Sequence, residues 1–183
     1  MKFVFDERKA AQAAAMLLEL NQGPMPYIKL IKLLYLADRR SLIESGYTIT
    51  GDSMVSMDHG PVLSRLYDCN KPGRSDGHWQ RHIGPLRDYE VSLLEPSDGM
   101  ALSDYEHDVV TETFEKFGHL DAWKLVEYMH TLPEWDDPSG SSWPIDVRTI
   151  LREAGKSDSE IGHIAEQVAS FRSFVSVASG QGS

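Results

Sequence analysis

A chain of 183 residues, 41% of them hydrophobic and 25% charged, carries enough apolar surface for one packed domain. That composition excludes disorder throughout, and no window approaches the ~20 consecutive apolar residues that span a bilayer. The formal net charge of -10 opposes phosphate binding, so nucleic acid is disfavoured as a partner.

The charge is unevenly distributed. Between Asp88 and Asp137 there are fourteen acids and two bases, whereas the remainder holds fourteen acids and sixteen bases. Such a segment suits a basic protein partner, or serves solubility alone. The single Cys69 excludes an intramolecular disulfide and a thiolate metal cluster. Residues 1–9 mix two acids with three bases and lack the apolar run of a signal peptide, so a cytoplasmic protein is expected.

A first helix is predicted from the Asp6 cap to about Leu20. Ala10, Ala13, Ala14, Leu17 and Leu18 form its narrow face, and it ends at Asn21-Gln22-Gly23-Pro24. A second runs from about Pro26 to Glu44. It is apolar on most sides, as a central helix should be, with Lys29 and Lys32 at one edge reaching water. Residues 48–59 are not helical, and Ser53 to Met57 reads as a short strand. Gly60-Pro61 then predicts a helix with proline in its first position, ending near Tyr67 or Asp68. Residues 71–77 form a loop, and Trp79 to Leu94 reads as extended with turns. Ser103 and Glu106 have the spacing of a capping box for a helix to Phe117. Along that helix Asp104, Asp108, Glu112 and Glu115 form an acidic stripe opposite the apolar face. A helix from Asp121 to His130 packs through Trp123, Leu125, Val126 and Met129. Beyond a Pro/Ser/Asp loop, Pro144 starts a helix ending at Gly155. Ser157 and Glu160 cap another, whose face is Ile161, Ile164, Ala165, Val168 and Phe171.

No motif for catalysis or metal binding is present, and no cofactor is expected. His78 and His82 are four apart, but neighbouring glycine and proline argue against a helix there. His59 precedes the helix start expected at Pro61, where free N–H groups would face an anion. Nothing local activates Cys69 as a nucleophile.

Four stretches in order resemble the Panacea (SocA-like) family of bacterial antitoxins. They are Ile31-Lys32-Leu33-Leu34-Tyr35-Leu36-Ala37-Asp38, then Met57-Asp58-His59-Gly60-Pro61-Val62 with Leu66-Tyr67-Asp68. Leu102 to Leu120 with Ala122-Trp123-Lys124-Leu125 follows, and His130 to Trp135 closes the set. The similarity covers about residues 8 to 137. Many members carry tryptophan shortly before Gly-Pro, where this chain has Met54 and Met57.

The resemblance implies a mainly α (α+β) fold, a compact helical domain with a small antiparallel β-element. The organisation expected is a core over 1–137, a helical extension packed on it over 138–175 and a flexible tail over 176–183. The resemblance also implies a non-enzymatic antitoxin, encoded beside its toxin, that neutralises the toxin by direct binding. Alternatives are an adaptor delivering the toxin to an ATP-dependent protease, with residues 144–174 as the second docking surface, and a hydrolase using His59 or Cys69. Leu33, Leu34, Gly60, Pro61, Tyr67, Trp123 and Trp135 are expected to hold the scaffold. Lys32, Tyr35 and His59, the polar-tipped motif residues, are assigned to a shared groove, and the stripe Asp104, Asp108, Glu112 and Glu115 to toxin binding.

Overall fold

In the computed structural model, which describes residues 1–75 and 77–178, the second predicted helix forms the axis of the molecule. Helices α1 (Glu7–Asn21) and α2 (Tyr27–Ser45) lie on either side of β1 (Met25–Pro26). The carboxylate of Asp6 caps α1 by accepting from Lys9 N. Residues 10–18 of α1 are all buried, so the helix is covered on every side and not along a narrow face. It ends on Gln22 in the left-handed region, before Gly23 is reached. Helix α2 buries Lys29 through Asp38 without a break and stops on left-handed Gly46.

The chain then forms β2 (Met54–Ser56), β3 (Val62–Leu63), α3 (Ser64–Asp68), α4 (His78–His82) and β4 (Glu90–Val91). Next come α5 (Asp104–Phe117), α6 (Ala122–Met129), β5 (Trp143–Pro144), α7 (Val147–Glu153) and α8 (Asp158–Ala178). β1 pairs antiparallel with β4, and β3-β2-β5 form a second antiparallel sheet. The fold is mainly α with a small antiparallel β-element.

Three local expectations change. Pro61 starts no helix: Val62 and Leu63 pair with Val55 and Met54, and α3 begins at Ser64. The buried Asp52 carboxylate supplies its cap, accepting from Arg65 N and Leu66 N. The anion-binding reading of His59 fails with it, because a strand follows the turn. Pro144 likewise sits in a strand opposite Val55, and α7 starts later under the Asp146 cap. His78 and His82 lie on a helix after all, α4, where glycine at 77 supplies the left-handed entry.

Both capping boxes form as spaced in the sequence: Ser103 with Glu106, and Ser157 with Glu160. Glu106 also takes the ammonium of Lys9 at 2.6 Å, tying α5 to α1. Val147, Ile150, Leu151 and Ile161 belong to the same hydrophobic cluster as α1, α2 and α5. Beyond Ile164, α8 leaves that cluster; Val168 is still buried, but Phe171, expected to pack, is 55% exposed. Residues 176–178, expected to fray, continue α8; the rest of the tail, 179–183, lies outside the described residues.

Candidate partner-binding groove

Polar side chains of α2 hold the surrounding loops by their backbones. Lys29 Nζ donates to Gly118 O at 2.6 Å, and Lys32 Nζ donates to Gly60 O and Pro61 O, both at 2.8 Å. The Lys32 ammonium does not reach water, the residue being 1% exposed, and Lys29 as a whole is 9% exposed. Backbone carbonyls replace solvent as acceptors, which overturns the expectation of an exposed edge. Burial lowers the Lys32 pKa to about 7. Tyr35 donates to Glu134 at 2.8 Å, and Arg39 pairs with the same carboxylate. Tyr35 is fully buried there and does not reach a surface groove.

These contacts converge on the turn 57–61. Trp135 Nε1 donates to Met57 O, His130 Nε2 lies 3.0 Å from Asp58 O, and Gly140 N donates to the Asp58 carboxylate. His130 stacks on Trp135 with ring centroids 4.1 Å apart. Gly60 has φ of 89°, and a Cβ there would stand 2.7 Å from that of Met129. Only glycine fits this position. Lys32, Gly60, Pro61 and Trp135 therefore fix one rigid turn, with Leu33 and Leu34 buried behind it.

The turn borders a groove of about 980 Å³. Its base includes the buried Ile31, Lys32 and Val62, while Met57, Asp58 and His59 come from the clamped turn. The rim is aromatic and exposed: Tyr89 is 85% exposed, Trp123 63%, Leu86 46% and Tyr67 37%. The edge of the His59 ring meets Trp123, with centroids 5.5 Å apart. Tyr67 and Trp123, expected in the scaffold, instead leave the core for this rim.

Tyr89 is held there under strain. Arg87 and Glu90 exchange both backbone hydrogen bonds, each at 2.9 Å, leaving Asp88 and Tyr89 as a two-residue turn with φ of 50° and 66°. Such turns favour asparagine and glycine, and a bulky residue there costs on the order of 1 kcal/mol. Tyr27 N donates to Tyr89 O and fixes the turn against α2.

Of the residues assigned to a groove, Lys32 and His59 line this one. Asp104, Asp108, Glu112 and Glu115 are exposed along α5, and none lines the groove. Glu112 forms an ion pair with Arg40. Leu86 and Tyr89 were missed by the sequence reading; their only signal was large apolar residues isolated in a polar, turn-rich stretch.

A family model described as Antitoxin SocA-like, Panacea domain matches residues 30–136, more than half of the chain. The chain belongs to this family. No curated protein and no solved structure gives a match. The Panacea segment begins inside α2, later than the start near residue 8 that the motifs suggested, and ends just beyond Trp135. It contains Lys32, Tyr35 and Arg39 of α2, though not Lys29, together with the turn 57–61 and the whole exposed rim. The other elements that complete the core, α1, α7 and α8, lie outside it. Among the described residues no helix is long and apolar enough to cross a membrane.

Proposed function

We propose that the chain is an antitoxin that neutralises a cognate toxin by direct protein–protein binding, without catalysis, and that the aromatic groove is its binding surface. Membership of an antitoxin family supports a protein partner. The observation that carries the site is Tyr89: an 85% exposed aromatic ring kept in a disfavoured backbone conformation on the lining of the groove that Trp123 also lines. Backbone hydrogen bonds hold the turn, but no burial of the ring offsets the strain of placing tyrosine there, and exposed Tyr and Trp at an apolar cleft have the composition of interface hot spots. The stripe Asp104, Asp108, Glu112 and Glu115 adds long-range attraction for a basic toxin. Cys69, the alternative nucleophile, is buried at 1% exposure, out of reach of a substrate.

Replacing Tyr89 by glycine relieves the strain while deleting the ring. Tyr89→Gly should leave thermal stability unchanged or raised by up to about 1 kcal/mol, yet weaken toxin binding at least tenfold. Trp123→Ala should do the same to binding. Calorimetric titration with the toxin, beside a melting curve, checks both. Wild-type affinity in the two variants would remove the groove from the interface.

A second reading, delivery of the toxin to an ATP-dependent protease, is favoured by the far half of α8. Phe171, Phe174 and Val177 are 55%, 71% and 76% exposed and lie apart from the groove lining. In this reading, a chain ending at Ser170 still binds toxin but no longer accelerates its turnover in cells. Unchanged turnover would leave binding alone as the activity.

A further inference from the structure

The groove restricts what shape of partner it can take. Two of its lining residues lie in strands, and neither offers a ladder edge. Pro26 has no N–H, and Val62 is 2% exposed and already paired with Val55. Addition of a partner strand is closed on both sides. What remains is insertion of side chains between Trp123 and the Tyr89 turn, over an apolar base.

Charge restricts the partner further. Asp58 and Asp121 are the acids that line the groove, and both are exposed. The cation that lines it, Lys32, is 1% exposed and spent on two carbonyls. Asp121 is held ionised, its pKa lowered by the N–H groups of Lys124 and Trp123. Asp121 is accompanied by the exposed Lys124, whose ammonium stands 3.9 Å away, so the groove is apolar in its base and its negative charge rests mainly on Asp58.

We propose that the groove's occupant is an amphipathic α-helix of the toxin, its apolar face inserted between Trp123 and Tyr89 and its flanks basic, meeting Asp58 and Asp121. This rests on the antitoxin reading. A helix presents apolar residues at i, i+3, i+4 and i+7 to one groove, with flanking lysines and arginines free to face these two acids.

The test uses the full chain co-expressed with the product of the adjoining reading frame, the toxin that the family resemblance implies. Tyr67 is replaced by the photoreactive benzoylphenylalanine, the complex is irradiated, and the cross-linked toxin peptide is sequenced. The expected peptide has helical apolar spacing and at least two flanking basic residues. Separately, Asp58→Asn with Asp121→Asn keeps the oxygens that accept Gly140 N and Lys124 N but removes the charge. The association rate should fall by about threefold or more at low salt, and its salt dependence should flatten. A toxin that co-purifies but cross-links through a strand or an acidic segment, or whose association ignores the double substitution, overturns the helix proposal and leaves the antitoxin reading intact. A neighbour that neither arrests growth nor co-purifies overturns the antitoxin reading itself.

Discussion

Asp38 shows how one residue couples folding to pH. It is fully buried on α2 and accepts from Ile49 N, Thr50 N and the Thr50 hydroxyl, so it holds the loop that follows the helix. Burial raises its pKa to about 7, against the pull of those three donors. In the unfolded chain the group ionises near pH 4. Between about pH 4 and 7 the folded state therefore holds a proton that the unfolded state has released, and stability falls as pH rises through that window. Asparagine keeps an acceptor oxygen and never ionises. The stability of Asp38→Asn relative to wild type should therefore improve from pH 4 to pH 7, with a slope approaching about 1.4 kcal/mol per pH unit. Urea unfolding of both proteins across that range measures it, and parallel profiles would mean that Asp38 ionises normally in the fold. The sequence marked Asp38 only as a motif residue. Its burial was not legible, because an acid ending an apolar run reads equally as the wet side of a helix. Lys29 and Lys32 misled for the same reason: chain position does not say whether the nearest acceptor is water or a carbonyl.

At the scale of elements, what was legible is what local chemistry decides. The caps at Asp6, Ser103 and Ser157 are written in residues within a turn of where they act. The two proline readings failed because the deciding partner is remote. Pro61 and Pro144 both look like first helical residues, but β2 lies between the segments that contain them and pairs with each. A three-residue strand thus collects two chain segments that the sequence assigned to helices. The helices are not lost, only delayed until Asp52 and Asp146 cap them. The candidate groove was half legible on these grounds. Lys32 and His59 sit in motifs and were assigned to it, whereas Tyr89 owes its place to a strained turn that no propensity favours.

For the molecule as a whole, the question is whether the region after the Panacea match is an appendage. The stretch 143–178 adds β5 to the sheet beside β2 and places Val147, Ile150, Leu151 and Ile161 in the central cluster, each no more than 7% exposed. Losing even one large buried aliphatic side chain costs about 2–5 kcal/mol, and a domain of this size is stable by only about 5–15 kcal/mol. Losing four, at about 8–20 kcal/mol, together with a strand is enough to exhaust that margin. A chain ending at Ser142 should therefore fail to fold cooperatively, although it retains the entire family-matched segment. Ending at Ser170 instead removes only the part of α8 that has left the core. Its melting temperature should stay within a few degrees of wild type, since surface changes away from packed features seldom exceed about 0.5 kcal/mol. Circular dichroism melts of the two truncations decide the matter. A sharp transition in the shorter chain would show that 1–142 is a self-sufficient unit and that α7 and α8 are an addition laid over a finished core. The expected loss would instead make the helical extension part of the scaffold that sets the groove, so that binding and folding could be separated only by cuts beyond Val168.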